Sequence, residues 1–210
     1  TLGSSDGSDS EVGFNVALGT WQVDSSQLPS GANLAGGTSY YVTSSAEDNN
    51  TDSRNIEAFS VRASTFVYES SAPVTFIETP VDNGMYSALT LITGTMADEP
   101  TYSDSNRVSA GIDKVQLRIQ RSSDLQYYLG TADNWGGSTW VEASTIASPA
   151  RWSRASLPPW QHNTTYWIVS RSSDLANNIE TAFSNPIDSR PITFDLSGST
   201  IALSNWISTN

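Results

Sequence analysis

Carboxylates are the most abundant groups with chemistry to offer in this chain: 22 Asp and Glu stand against 10 Lys and Arg, a formal charge of −12. Hard cations take oxygen donors, so the ligand such a chain suits best is calcium. Candidate ligands are Asp48 and Asp52, in the run Glu47-Asp48-Asn49-Asn50-Thr51-Asp52, together with Asp98, Asp104 and Asp174. Glu69 and Asp195 sit at boundaries between segments, where an ion would stiffen a junction. None of these spacings is that of an EF-hand loop. A short carboxylate in such a run also suits the capping of a turn, the commoner role for Asp48 and Asp174. Calcium is therefore a candidate, and no other cofactor is expected.

Nucleophilic catalysis needs a nucleophile, a base that titrates near neutrality and a group to orient it. The chain has no cysteine and one histidine, His162, in the turn-like run Pro158-Pro159-Trp160-Gln161-His162-Asn163. It carries no glycine-rich phosphate loop, no zinc-ligand spacing and no Gly-x-Ser-x-Gly elbow. A carboxylate pair of the glycosidase kind is the remaining enzyme chemistry, and it predicts turnover abolished by one Asp or Glu change. Among 22 acids no pair stands out, and no enzymatic activity is expected. Seven tryptophans offer a second kind of site, because aromatic faces stack on sugar rings. Trp135 beside Gly136-Gly137 and Trp160 beside Pro158-Pro159 are the candidates for exposed glycan contacts, whereas Trp140, Trp152 and Trp167 are assigned to packing.

The negative charge repels phosphate backbones and anionic lipid headgroups, so neither nucleic acid nor a membrane surface is an expected partner. No run of about 18 apolar residues is present, and Thr1-Leu2-Gly3-Ser4-Ser5-Asp6 lacks the basic and apolar regions of a signal peptide. An exported form of this sequence would be a mature chain or a piece of a longer one. With one lysine, no cysteine and much Ser, Thr, Asn and Gly, the composition suits a cell exterior. The sequons Asn49-Asn50-Thr51 and Asn163-Thr164-Thr165 suit exposed loops of such a chain.

The elements that must position these residues are strands. Short runs rich in Val, Ile, Thr and aromatics alternate with Gly, Pro, Asn and Asp, over 38–44, 59–68, 74–78, 88–95, 114–121, 164–170 and 191–194. The clearest alternation, Val115-Gln116-Leu117-Arg118-Ile119-Gln120, turns Val115, Leu117 and Ile119 towards a core. An internal repeat organises the runs. Thr38-Ser39-Tyr40-Tyr41-Val42 matches Thr164-Thr165-Tyr166-Trp167-Ile168, and Phe66-Val67-Tyr68 matches Ile192-Thr193-Phe194, both at a spacing of 126. Asn55-Ile56-Glu57 returns as Asn178-Ile179-Glu180 at 123, and Trp21 parallels Trp152. The reading is a flexible Ser/Gly/Asp linker over 1–13, the second half of a module over 14–71, a complete module over 72–195, and the first strand of a further module over 196–210.

At this repeat the chain resembles the bacterial immunoglobulin-like domains strung together in large surface proteins and adhesins. The resembling residues are Ser71-Ala72-Pro73, Leu91-Ile92-Thr93-Gly94-Thr95, Gly111-Ile112-Asp113-Lys114-Val115, Trp140, Trp152, Tyr166, and the turn Ser173-Asp174-Leu175-Ala176-Asn177-Asn178-Ile179-Glu180. Asn177 stands where that family's turn carries glycine; asparagine tolerates the left-handed conformation. The resemblance implies an all-β, immunoglobulin-like β-sandwich, one module complete and one partial, in an extracellular or cell-surface bacterial protein.

Two explanations fit a chain that is half a module out of phase: it is a fragment of a longer array, or the half-module is completed by a strand donated from another copy. An open sheet edge over an apolar face templates pairing. The donor would be Thr200-Ile201-Ala202-Leu203-Ser204-Asn205-Trp206-Ile207, with Thr200, Ile201, Leu203, Trp206 and Ile207 as contact residues. The acceptor would be Tyr40, Val42, Phe66 and Tyr68. The expected function is structural, a repeat that forms or extends a surface filament or stalk, with other copies or adjacent repeats as partners. The alternative is an adhesin module binding a glycan or a protein.

Overall fold

The structure is a computed structural model that describes residues 12–15, 20–23, 26, 28–46, 48, 50, 53, 55–57, 64–98, 107–147 and 150–198. The chain is all-β and divides into two compact units, Thr1–Ser70 and Ser71–Asn210. The first contains β1 (Val12–Asn15), β2 (Thr20–Val23), β3 (Thr38–Val42) and β4 (Ser64–Tyr68). These form two antiparallel pairs, β1 with β2 and β3 with β4.

The second unit is a two-layer sandwich. One layer has the order β12-β13-β7-β5, from Ser144–Ala147, Ala150–Arg154, Ile92–Ala97 and Val74–Thr79. The other runs β10-β9-β8-β14-β15-β6, from Trp135–Gly136, Tyr127–Tyr128, Ile112–Arg121, Thr164–Asp174, Ser189–Phe194 and Gly84–Tyr86, with β11 (Val141–Glu142) also on β8. All pairings are antiparallel except β15 with β6.

Strand alternation explains the core. Val115, Leu117 and Ile119 of β8, Tyr166 and Ile168 of β14, and Ile192 and Phe194 of β15 point inward, each at most 1% exposed. They meet Ile77 of β5, Ile92 and Met96 of β7 and Trp152 of β13 from the opposite layer. Gly94 does more than punctuate a strand. It is buried in mid-β7 opposite Trp152, and a Cβ there would lie 1.9 Å from the Phe76 carbonyl oxygen and 2.4 Å from the Trp152 ring. Only a glycine lets the indole lie flat on the ladder.

Residue parity also corrects the tryptophan assignments. Trp167 sits between the inward Tyr166 and Ile168, so it faces out and is 42% exposed. Trp140, assigned to packing, is half-buried outside the core cluster, packed at 5.7 Å on Phe183. Trp135 and Trp160, expected to be exposed, both pack on the core cluster. Trp160 stacks on Phe194 at 4.5 Å and donates Nε1–H to the Leu89 carbonyl; Trp135 lies against Tyr128 and Tyr166 and donates to Asp133. Both are half-buried.

Candidate functional site

Two tyrosines open the comparison between the units. The Tyr166 hydroxyl accepts the Gln161 N–H at 2.9 Å, and the Tyr40 hydroxyl accepts the Ala35 N–H at 2.7 Å, each from five residues upstream. Every backbone pair of β3 and β4 has its counterpart 126 residues later in β14 and β15: Thr38 with Tyr68 becomes Thr164 with Phe194, Tyr40 with Phe66 becomes Tyr166 with Ile192, and Val42 with Ser64 becomes Ile168 with Arg190. The hairpin entry repeats as well, Gly37 N–H to Tyr68 O and Asn163 N–H to Phe194 O, both at 2.7 Å. The first hairpin obeys its own spacing. Phe14 opposite Trp21 in β1–β2 corresponds, 131 residues on, to Thr145 opposite Trp152 in β12–β13.

The turn after each strand is built alike. Asp174 accepts the Asn178 backbone and side-chain N–H groups, both at 2.8 Å, while Asp48 accepts those of Asn55 at 3.1 and 2.6 Å. These bonds to the Asn55 side chain and backbone hold the Asp48 carboxyl below its ordinary range. Asn177, within the second turn, has φ of 67°, the left-handed region that glycine would otherwise fill. Asp48 and Asp174 therefore act as turn caps in the two units.

Glu180 completes the pattern. Its Oε2 accepts the Ser172 N–H at 3.1 Å, as Glu57 Oε2 accepts the Ala46 N–H at 3.2 Å. In the second unit Glu180 also reaches across the sandwich, taking the Thr75 N–H on Oε1 at 3.1 Å and the Thr75 hydroxyl on Oε2 at 3.0 Å, which fastens β5 to the turn. Burial pushes the Glu180 carboxyl up to about 7 against these hydrogen bonds, with Asp188 nearby adding in the same direction. Burial likewise raises Asp188, whose carboxylate accepts the Ser184 N–H.

The units part company in what covers this framework. β14 has β8 on one side and β15 on the other, whereas β3 has only β4 among the described residues. Ile168 and Ile192 are 0% and 1% exposed; their counterparts Val42 and Phe66 are 47% and 43% exposed. Tyr40 stacks on Phe66 at 5.6 Å, and Glu57 is exposed where Glu180 is buried. The expected acceptor residues Tyr40, Val42, Phe66 and Tyr68 thus lie on one hairpin. The expected donor residues Thr200, Ile201, Leu203, Trp206 and Ile207 lie outside the described residues, as do Asp52 and Asp104.

Of the calcium candidates in the second unit, Asp98 and Asp174 come together, with carboxylate oxygens within 4.8 Å. Asp98 accepts the Gly111 N–H and Asp174 is engaged with Asn178, so this pair alone falls short of a calcium shell of six to eight oxygens. His162 is an exposed turn residue whose Nδ1 accepts the Leu196 N–H at 3.0 Å and lies 3.3 Å from Asp195.

No protein-family model and no curated protein matches the chain. Among solved structures it is similar to CopC from Methylosinus trichosporium OB3b, at 12% identity and a TM-score of 0.36, over 61% of this chain and 100% of that one. Among the described residues no helix is long and apolar enough to cross a membrane.

Proposed function

We propose that the chain is a structural immunoglobulin-like repeat of a cell exterior, whose first unit is closed by a strand from another copy, so that subunits join into a filament or stalk. The observation that carries this reading is the contrast between matched positions: one strand register, with Ile168 and Ile192 sealed and Val42 and Phe66 about half exposed. An apolar face beside an unpaired strand edge is costly in water and favours strand addition, where main-chain bonds give affinity and alternate side chains give register. Glu57 supports the same reading, since it holds the place from which Glu180 grips the first strand of its own module.

The test is self-association of the purified chain, followed by light scattering and electron microscopy. Wild type assembles into polymers, and Val42→Ser with Phe66→Ser leaves monomers of unchanged far-ultraviolet circular dichroism. A wild type that stays monomeric at high micromolar concentration overturns the proposal. Calcium remains a finer reading attached to Asp98 and Asp174: on that reading added calcium raises the melting midpoint of the wild type, and Asp98→Asn removes the rise. The adhesin alternative, as framed on Trp135 and Trp160, has two half-buried rings packed against the core as its contact residues.

A further inference from the structure

The outer face of the larger sheet carries a cluster that the strand-complementation reading does not use. Arg118 of β8 and Arg171 of β14 both point away from the core, and their guanidinium carbons lie 4.7 and 4.1 Å from the centre of the Trp140 ring. Arg118 also lies 5.6 Å from the Tyr127 ring centre. Arg171 donates through Nε and Nη2 to one oxygen, Gln116 Oε1, at 3.0 and 2.8 Å. Among the described residues neither arginine has a carboxylate partner, although the chain holds 22 acids.

Four other arginines of this unit are treated differently. Arg121 pairs with Asp124 and Arg151 with Glu78, while Arg154 and Arg190 each donate to three carbonyl oxygens. Stacking on an indole accounts for one guanidinium through cation–π attraction. It leaves unexplained why two like charges share one ring, and burial together with Arg118 does pull the Arg171 guanidinium below its usual value. A guanidinium presents five N–H donors in a fork that matches a carboxylate. Arg118 directs none of its donors to a described acceptor, and Arg171 keeps Nη1 unused. Along β14 from this cluster, on the same face, stands the exposed Trp167.

We infer that Arg118, Arg171 and Trp167 form a binding site for a carboxylated polysaccharide, the guanidiniums taking uronate carboxylates and the Trp167 face a sugar ring. Charge complementarity selects the anion, since among the described residues Arg118 and Arg171 are two adjacent cations without a carboxylate partner on the outer face of this sheet. The flat exposed indole beside them favours a pyranose over an acidic peptide.

Affinity electrophoresis of the full chain in gels containing polygalacturonate tests the site. Retardation of the wild type is expected, with the apparent dissociation constant rising at least tenfold in Arg118→Gln/Arg171→Gln and severalfold in Trp167→Ala, at unchanged melting midpoints. Fully methyl-esterified polygalacturonate, which keeps the ring and caps the carboxylate, should not retard the chain. Absence of wild-type retardation, equal retardation of the double variant, or equal binding of the methyl ester overturns the site. Equal affinity for polyglutamate overturns its assignment to a polysaccharide.

Discussion

Glu180→Ala is expected to destabilise the second unit by about 3 kcal/mol, because it strands the buried Thr75 and Ser172 N–H groups and leaves the Thr75 hydroxyl only its bond to Ser170. Urea unfolding measures the loss, and hydrogen exchange at the Thr75 amide locates it: β5 should open well before the β8–β14 ladder does. A loss below about 1 kcal/mol would mean that water satisfies those donors and that Glu180 is not the clamp. The same carboxyl sets a pH dependence. Its folded value of about 7 lies above its ordinary 4.5, so the protonated form is the one the fold favours. Its contribution is complete below pH 4.5 and is lost as pH rises through 7, and Asp188, also raised, acts with the same sign. The melting midpoint should therefore fall between pH 5 and pH 8, and Glu180→Gln should flatten that slope even though it lowers the midpoint itself.

Trp152→Ala is expected to cost about 4 kcal/mol. The indole is 2% exposed, packs against Gly94, and donates Nε1–H to the Thr95 carbonyl at 2.9 Å. Gly94, against which the indole packs, has no side chain to move into the space. Trp152→Phe should recover more than half of the loss, missing the hydrogen bond and one ring. Equilibrium unfolding in urea reads both; a cost under about 2 kcal/mol for the alanine would show that the layers close over the gap.

Much of this architecture was legible from residue type and spacing because its causes are local. Alternation placed Val115, Leu117 and Ile119 inward without any knowledge of their partners. The spacing between Tyr40 and Tyr166 was legible because the same inward aromatic, the same hairpin entry and the same Asp–Asn turn are needed wherever this hairpin is made. The two-residue strands β9, β10 and β11 were not, since two residues carry no period and their pairing depends on β8. Trp135 and Trp160 were misjudged from their glycine and proline neighbours, which describe chain path and not side-chain direction. The signal for Trp167 was present: with Tyr166 and Ile168 inward, the residue between them has to face out. Glu180 was visible as part of a repeated motif, but a carboxylate is by default a surface group, and only Thr75 arriving from about a hundred residues away makes it a buried clamp. Arg118 and Arg171 become a cluster only once β8 and β14 lie side by side.

The constancy of the ladders against the inconstancy of the spacing has one more consequence. The shift between equivalent residues goes from 131 at the first hairpin to 126 at the tyrosines, 123 at Asn55 and back to 126 at Phe66, and each step falls between strands. The lengths between strands differ while the five pairs of β3 and β4 keep their register in β14 and β15. A foreign peptide spliced between Asp174 and Asn178 would enter where the first unit already carries a longer turn between Asp48 and Asn55, and this is the place to graft a label or an epitope onto the scaffold.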